Sequence, residues 1–397
     1  MERVLQEDLD IERLRADTAG CEQSIFFNNA GASLQPRPVV ARVIEHLRLE
    51  EQSGGYEAAD LVAGELEGLY GSLARLLHCA PEEIALQENA TRAWEMAFYS
   101  LRFAPGDRIV TFANEYASNY IAFLQVARRT GAEICVVDSD QAGAVDLAAL
   151  QKALDDRVKV IALTHVPTNG GLVQPAAQVG ELARRAGIPF LLDACQSTGQ
   201  MDLDVDALGC DMLCATGRKY LRGPRGTGFL YVRRAMLDRM EPPLLDLRAA
   251  TWVEQGKFEV RGDAKKFETW ESSAAIRLGF GVAIEYALTL GLKRIERRVQ
   301  DLAALLREQL GEVKGVTVQD LGRVRGGLVT FTHERHPAGE VMQWLKANSI
   351  AVRTIERSST RIDMERRNLD ELVRASVHYY NTEAEVARFC AVLGAIQ

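Results

Sequence analysis

Between about residues 60 and 235, short apolar segments alternate with amphipathic ones, and this alternation constrains the fold more than any other feature. The apolar segments are almost continuously hydrophobic and rich in Val, Ile and Leu, as expected of strands buried on both faces. Seven strands are predicted: EIALQ, RIVTFA, EICVVD, VKVIALTHV, PFLLDA, MLCATG and TGFLYVR. Because helical patterns lie between them, we predict an α/β fold with a mainly parallel central sheet.

The pattern changes after about residue 250, where two long helical segments precede four short strands, GVTVQDL, GLVTFTH, IAVRTI and LVRASVHYY. The last helix opens with Thr382 and Glu385, which have the spacing of a capping box. We therefore predict a large domain at residues 35–250 and a smaller α+β domain at 251–397, on which an N-terminal segment, residues 1–34, packs. The functional site is expected in the crevice between the domains.

Composition excludes several classes of function. The formal net charge of −8 argues against nonspecific nucleic-acid binding, which needs a basic surface. The first 20 residues have no apolar core typical of a signal peptide, and no segment approaches the roughly 18 apolar residues of a membrane helix. The seven cysteines and six histidines are dispersed, which favours buried reduced thiols and no metal site. We expect a cytoplasmic protein without nucleic-acid or membrane partners.

Two chemically informative residues follow neighbouring predicted strands. Asp193 ends PFLLDA, and Lys219 follows MLCATG, 26 residues later and one βαβ step away. Ligands of α/β proteins bind at the carboxyl ends of such strands. A carboxylate that protonates a pyridine nitrogen and a lysine that forms a Schiff base suit pyridoxal-phosphate chemistry. An Asp in a turn and a Lys on the surface are the alternative interpretation of this pair.

Other segments offer a phosphate site and an aromatic ring. QENATRAWEM places Asn89, Ala90 and Thr91 where a strand turns into a helix, and helix N-termini bind phosphate, although an ordinary N-cap has the same sequence. GPRGTG, residues 223–228, is neither a dinucleotide fingerprint nor a P-loop, and we interpret it as a turn that shapes the site. Tyr116 in NEYASN could stack on a pyridine ring or simply pack.

Eight segments, taken together in their order along the chain, are more specific than any one of them alone. They are FFNNAGAS, QENAT, NEYASN, THVPTNGG, DACQSTG, TGRKYLRGPRGTG, FETWESS and RASVHYYNT. This series resembles the class V aminotransferase family of fold-type-I pyridoxal-phosphate enzymes, which includes cysteine desulfurases, C–S lyases and isopenicillin N epimerases. The resemblance runs from about Phe26 to the last helix. It implies pyridoxal 5′-phosphate as the cofactor, a homodimer and an α-amino acid as the substrate.

The resemblance also implies a role for individual residues at the cofactor. Lys219 would hold the cofactor as a Schiff base and later move protons at the substrate α-carbon. Asp193 would pair with the pyridine nitrogen, and Gln196 would bond the phenolic oxygen. The further cofactor-binding residues that it implies are Ala90, Thr91, Thr216 and Arg218 at the phosphate, and Tyr116 and Thr168 beside the ring.

For the substrate, the resemblance implies that Arg374 clamps the carboxylate, a bidentate role suited to guanidinium. Asn29 and Ala30 would approach the substrate from the N-terminal segment. Glu271 and Ser272, which the resemblance also implies as cofactor-binding residues, would come from the neighbouring subunit and close the site of the first. Tyr116, in addition to stacking, could donate a proton to a sulfur leaving group.

One departure from the family pattern affects the expected reaction. Desulfurases of this group carry a loop cysteine after a segment like IAVRT, whereas residues 355–368 contain none. Because persulfide formation needs a thiolate, we favour β-elimination by a C–S lyase acting on a sulfur-containing amino acid. Transamination is the close alternative. Epimerisation is less favoured, and so is a non-catalytic cofactor-binding protein. The sequence leaves open whether residues 355–368 form an ordered lid, and favours packing over substrate contact for Trp252 and Phe258.

Overall fold

The computed structural model of the protein describes residues 9–396. Residues 1–8 lie outside this range. They belong to the predicted N-terminal segment, residues 1–34, and to the 20 residues that were judged unlike a signal peptide. The helices are α1 (Ile11–Ala16), α2 (Arg37–Ser53), α3 (Gly55–Leu61), α4 (Ala63–Leu77), α5 (Ala90–Phe98), α6 (Ala117–Thr130), α7 (Leu147–Ala153), α8 (Ala176–Ala186), α9 (Val205–Leu208), α10 (Arg234–Leu237), α11 (Ala274–Leu290), α12 (Leu292–Glu312), α13 (Ala338–Ala347), α14 (Arg361–Arg366) and α15 (Glu383–Gly394). The strands are β1 (Ile25–Phe26), β2 (Ile84–Gln87), β3 (Arg108–Phe112), β4 (Glu133–Val137), β5 (Val158–Thr164), β6 (Phe190–Asp193), β7 (Met212–Thr216), β8 (Gly228–Val232), β9 (Ala250–Glu254), β10 (Lys257–Val260), β11 (Val316–Val318), β12 (Leu328–His333), β13 (Ile350–Ala351), β14 (Arg353–Glu356) and β15 (Glu371–Ser376).

A seven-stranded sheet forms the centre of the molecule, in the order β2-β8-β7-β6-β5-β3-β4. Strands β3 to β7 pair in parallel, and β8 pairs antiparallel with both β7 and β2. All seven strands predicted between residues 60 and 235 are present, so the predicted α/β fold with a mainly parallel sheet is confirmed.

Helices cover both faces of this sheet because each strand sends alternate side chains to opposite sides. In β6, Leu192 joins the core under α4 and α8, and Leu191 joins the core under α5 and α6. In the second core, the ring of Trp94 stacks on that of Phe98 with centroids 4.7 Å apart, and Phe123 of α6 packs against both. Fully burying a side chain of this size contributes roughly 1.5–3 kcal/mol, so these contacts fix the helix positions.

A second sheet, with the antiparallel order β11-β12-β15-β14, lies in the C-terminal part of the chain. The four predicted strands are present, and Thr382 and Glu385 form the predicted capping box at the start of α15. Strand β1 pairs in parallel with β13, which agrees with an N-terminal segment that packs on the small domain. The domain boundaries themselves remain a prediction, and α11, assigned to the small domain, packs against α2 and α4.

Arg222 joins the N-terminal segment, the loop after β7 and the small sheet. Its backbone adopts φ of 59°, and its fully buried guanidinium lies 4.4 Å from the ring centroid of Tyr380. It donates hydrogen bonds to the Tyr379 hydroxyl at 2.7 Å, to the Leu34 carbonyl at 2.8 Å and to the Thr18 hydroxyl at 2.6 Å. A buried charge with this many partners holds the walls of the crevice together.

The hairpin β9–β10 was not predicted, and it extends away from the core. Trp252 is 71% exposed and Phe258 is 56% exposed, so within one chain the predicted packing of these two side chains is wrong. The consecutive helices α2, α3 and α4 were also not predicted as a group. Within residues 9–396, no single helix is long and apolar enough to cross a membrane; α11 and α12 pass that test only as a pair bent by 81°.

Candidate active site

The carboxyl ends of β5, β6 and β7 open into a cavity of about 490 Å³, the inner cavity, whose lining includes Thr91, Asp193, Gln196 and Lys219. A second space of about 650 Å³, the outer cavity, lies towards the small sheet and is lined by Asn28, Arg353 and Arg374 among others. The two cavities share five lining residues: Tyr116, Thr168, Arg218, Lys219 and Arg225. The structure therefore brings most of the predicted site residues together, with Lys219 at the junction.

Lys219 follows β7 in the loop that leads to Arg222. Its Nζ makes no hydrogen bond or ion pair with any residue in the described range. Burial lowers the pKa of Lys219 to about 8, and the positive charge of Arg218 also lowers it, whereas Cys195 and Asp193 raise it. A lysine amine with this pKa is partly neutral near physiological pH, and a neutral amine is a nucleophile and a base.

Asp193 is held at the end of β6 with both carboxylate oxygens occupied. Oδ1 accepts a hydrogen bond from the Cys195 backbone N–H at 2.9 Å, and Oδ2 accepts one from the Asn119 side chain at 3.0 Å. The Asn119 amide nitrogen also lies 2.9 Å from Glu115 Oε1. Burial raises the pKa of Glu115 to about 7, while hydrogen bonds from Thr164 and Asn119 lower it.

Glu115 and Asn119 were missed by the sequence analysis. Both lie in the segment NEYASNY, in which only Tyr116 was predicted to have a function. The signal that could have found them is the spacing of four residues across a helix start, which places two polar side chains on one face.

The first turn of α5 forms one end of the inner cavity. Asn89 is its N-cap and accepts a hydrogen bond from the Arg92 N–H at 2.9 Å, while Ala90 and Thr91 line the cavity. Strand β8 passes so close that a Cβ on Gly228 would lie 2.6 Å from the Asn89 carbonyl carbon. The free N–H groups of a helix start attract an anion.

Thr216 and Arg218 continue this end of the cavity from β7. The Thr216 hydroxyl donates to the Thr227 carbonyl at 3.1 Å. Arg218 donates to the Gly31 carbonyl, and burial lowers its pKa, as does the charge of Arg225. Arg225, which was predicted only as part of a turn, has no hydrogen bond or ion pair with any residue that the structure describes.

The side chain of Gln196 indicates whether the inner cavity suits an additional polar molecule. Its amide nitrogen donates to the Ala30 carbonyl at 3.3 Å, but its buried Oε1 has no partner within the described chain. Buried polar atoms are normally satisfied. The site thus suits an additional polar molecule, and the predicted cofactor has ring and phosphate groups that the surrounding residue types can bind.

Arg374 lies on β15 and faces the outer cavity, where it is 4% exposed. Nη1 donates to the hydroxyl of Thr168 at 2.5 Å and to its carbonyl at 3.2 Å, while the buried Nε has no partner in residues 9–396. Burial lowers the pKa of Arg374 to about 10, as do the charges of Arg218 and Arg353, whereas Tyr220 raises it. Its guanidinium is available to an anion.

The N-terminal segment reaches the outer cavity through Asn28 and Ala30. Asn29, which was predicted to approach the substrate, instead donates to the Ser376 carbonyl at 2.7 Å and accepts from the Tyr380 hydroxyl at 2.5 Å. It is fully buried and does not line either cavity. The place expected for Asn29 is taken by Asn28.

Tyr116 is the N-cap of α6, is 38% exposed and lines both cavities. Its backbone N–H donates to Glu115 at 2.9 Å, and this bond fixes the start of the helix. Glu271 and Ser272 lie between β10 and α11 and line neither cavity of their own chain. Their predicted contribution to a neighbouring subunit remains a prediction.

Residues 355–368 comprise the end of β14, a short turn and α14, and they lie beside the outer cavity. Asp363 is buried there, where it accepts hydrogen bonds from Asn169 at 2.6 Å and from Arg367 at 3.2 Å. Its N–H donates to the Ala113 carbonyl at 3.2 Å. The segment is thereby joined to the central sheet.

A family model described as "Aminotransferase class-V" matches residues 25–389. The chain belongs to the class V aminotransferase family. Membership confirms the family inferred from the motif series and, with it, the expected class of enzyme.

Individual relatives of this class V aminotransferase are similar over nearly the whole chain. A probable cysteine desulfurase from Methanothermobacter thermautotrophicus is 28% identical over 382 residues, which cover 94% of this chain and 95% of that protein. The apo structure of a cysteine desulfurase from Thermococcus onnurineus NA1 has a TM-score of 0.90 with 27% identity, covering 99% of this chain and 98% of the other. The cystine C–S lyase C-DES, solved with its product cysteine persulfide, has a TM-score of 0.85 with 23% identity, covering 95% and 99% of the two chains, and shows a likeness of fold. The predicted fold-type-I architecture is confirmed.

Proposed function

We propose that the protein is a pyridoxal-phosphate-dependent C–S lyase that cleaves a sulfur-containing α-amino acid by β-elimination. The observation that carries this proposal is the position of Lys219. Its unpaired amine lies where the inner cavity, which contains Asp193, meets the outer cavity, which contains Arg374. This arrangement supports a cofactor site and a substrate site that would share one base.

The residues of the inner cavity suit the cofactor. Lys219 would hold it covalently, Asp193 would face the pyridine nitrogen, and Gln196 would contact the phenolic oxygen. Tyr116 and Thr168 would flank the ring, and the phosphate would lie against the residues at the start of α5 and the end of β7, namely Ala90, Thr91, Thr216 and Arg218. When bound, pyridoxal phosphate supplies an electron sink for negative charge that develops at the substrate α-carbon.

The chain's own residues would then divide the work of elimination. Arg374 would hold the α-carboxylate and so orient the α-hydrogen towards Lys219. Lys219 would remove that proton, a task for which its pKa of about 8 is suited. Tyr116, whose hydroxyl makes no hydrogen bond within the described chain, would donate a proton to the departing sulfur.

The distribution of thiols favours a lyase over a persulfide-forming desulfurase. Residues 355–368 contain no cysteine, and none of the residues lining the outer cavity is a cysteine. Cys195 lines only the inner cavity, next to Asp193. A mechanism that transfers sulfur to a protein thiolate needs that thiolate beside the substrate.

The first experiment is to reduce the purified protein with borohydride and to map the modified peptide by mass spectrometry. A pyridoxyl group on Lys219 is the expected result; an unmodified Lys219 in protein supplied with the cofactor would refute the cofactor site. The reaction type is then tested with a panel of S-substituted cysteines. Pyruvate and ammonia formed without a keto-acid acceptor support elimination, whereas acceptor-dependent turnover supports the alternative, an aminotransferase.

We also propose a cytoplasmic homodimer with the domain division stated above, in which Glu271 and Ser272 complete the neighbouring site. The exposed apolar side chains Trp252, Phe258 and Trp270 support an interface near that segment. Light scattering measures the mass in solution. A dimer that dissociates when Trp252 and Phe258 are both replaced by Ser is expected, and a monomeric wild-type protein would contradict the proposal.

A further inference from the structure

Arg353 and Arg374 lie directly opposite each other on the antiparallel strands β14 and β15. Both line the outer cavity, as expected for opposite residues, whose side chains project from the same face of a sheet with Cβ atoms roughly 4.5–5.5 Å apart. Like charges in such a pair destabilise the fold. Two arginines facing one cavity in this way are therefore a cost that a bound anion would offset.

The described chain supplies no such anion. Arg374 donates only to Thr168, and Arg353 makes no hydrogen bond or ion pair with any residue from 9 to 396. The only acidic residue that lines the outer cavity is Glu356, which forms no ion pair with either arginine. Because Arg218, Lys219 and Arg225 also line it, the cavity has a strong excess of positive charge.

The arginines differ in how deeply they are buried and in which cavity they line. Arg218 and Arg225 line both cavities, so anionic groups in the inner cavity can use them. Arg374 is buried beside Lys219, whereas Arg353 is exposed and lines only the outer cavity. If Arg374 holds the α-carboxylate next to the base, Arg353 is left facing the outer part of the substrate.

We propose that Arg353 is a specificity-determining residue that binds a second carboxylate at the end of the substrate's side chain, beyond the sulfur. The substrate class is then a dicarboxylic S-substituted cysteine, an inference that rests on the proposed lyase function. Cleavage of such a substrate breaks the Cβ–S bond, and with one water it gives a mercapto-carboxylate, pyruvate and ammonia. The carboxylate bound by Arg353 leaves with the thiol.

Two ligands that differ only in this charge test the subsite without turnover. The first is 3-(carboxymethylthio)propanoate, which lacks the amino group of S-carboxymethylcysteine and cannot react; the second is its amide at the carboxymethyl end. Titration calorimetry with the holoenzyme should show that the diacid binds at least about tenfold more tightly than the monoamide, because a charge-assisted hydrogen bond to Arg353 is lost in the amide.

Arg353→Gln should bind both ligands with nearly equal affinity. The matched control is Arg361→Gln, an exposed arginine whose side chain pairs with Glu365 at 2.9 Å and lines neither cavity, and it should keep the preference. A preference that survives in Arg353→Gln, or an equal loss of both ligands because Arg353 shares the α-carboxylate, would overturn the proposal. Circular dichroism and the melting temperature show that each variant is folded.

Measurements of turnover distinguish the proposed Arg353 subsite from the proposed lyase function on which it rests. With S-carboxymethylcysteine and its carboxamide, pyruvate formation should favour the acid in kcat/KM by about tenfold or more, and Arg353→Gln should remove the difference. Protein that binds the diacid selectively but releases no pyruvate would refute the lyase function and leave the subsite standing. Equal turnover of acid and amide by the wild type would refute only the subsite.

Discussion

The side chain of Asn119 donates a hydrogen bond to the carboxylate of Asp193 at 3.0 Å, from within the buried core beneath the inner cavity. Its nitrogen also lies 2.9 Å from Glu115, so Asn119 separates two carboxyl groups. The orientation of Asp193, on which the proposed contact with the cofactor depends, is thus set by a residue that does not line the cavity itself.

Replacing Asn119 with Ala should weaken cofactor binding, because it removes a hydrogen bond that orients Asp193. Asp193 would lose one of its two donors, and leaving a buried acceptor unsatisfied costs about 1–3 kcal/mol. We expect the Kd for pyridoxal phosphate to rise by about tenfold or more and the absorbance of the bound cofactor to change its pH dependence. Asn119→Asp, which keeps the size but adds a charge between two carboxyl groups, should be worse than Ala. An unchanged spectrum in both variants would contradict this role.

The pKa of Lys219 predicts how its reactivity depends on pH. Burial lowers this pKa to about 8, so the amine loses its proton as the pH rises through 8. In apoprotein, the rate of acetylation of Lys219 should therefore rise with a midpoint near pH 8, and the rate of cofactor capture should follow it. Between pH 8 and about 10.4 the unfolded chain retains a proton that the folded Lys219 has lost, so the contribution of Lys219 to the stability of the apoprotein should rise over this window.

Mass spectrometry of a single digest measures the extent of acetylation of Lys219 and of exposed lysines such as Lys293. Because the comparison is internal, reagent loss at high pH does not affect the ratio. A midpoint for Lys219 at or above that of the exposed lysines would show that burial does not depress its pKa.

The sequence predicted the central sheet well because buried parallel strands such as β5 to β7 are continuously apolar and need no tertiary information to recognise. Lys219, Asp193 and Arg374 were predicted for a related reason, since the motif series and the strand ends marked their positions, and all three line the cavities. Asn28 and Glu115 were not found. Whether Asn28 or Asn29 faces the cavity depends on the direction of a turn that the Ser376 and Tyr380 contacts fix, and local sequence does not contain those contacts.

The hairpin β9–β10 was missed for a different physical reason. Almost all of its side chains are exposed, so no continuous apolar run marks it, and the alternation of polar and apolar residues in Lys257–Val260 is only four residues long. Trp252 and Phe258 were therefore interpreted as packing residues, although in one chain they contact mostly solvent.

Gly228→Ala should disturb the start of α5 and with it the phosphate end of the inner cavity. The new Cβ would lie 2.6 Å from the Asn89 carbonyl carbon and 2.9 Å from the Ala215 carbonyl oxygen, and forcing extra volume into a packed site costs about 1–3 kcal/mol. Cofactor affinity and melting temperature should both fall. Gly256→Ala, where nothing lies within 4 Å of the added Cβ, is the control and should leave both unchanged. If both variants have the same cofactor affinity and melting temperature, the close approach of Gly228 to the Asn89 backbone is refuted.

Asp363→Ala should loosen residues 355–368 while the central sheet stays intact. The change removes the acceptor of Asn169 and of Arg367, and each buried donor left unsatisfied costs about 1–3 kcal/mol. Backbone amides of this segment should therefore exchange about tenfold or more faster, because local opening becomes easier. The control is Asp370→Ala, whose carboxylate is 85% exposed and pairs with Arg357 at the surface, where an ion pair contributes at most about 1 kcal/mol. If exchange in Asp363→Ala matches that of the control, the segment is ordered by its apolar contacts, such as those of the buried Met364, and not by Asp363.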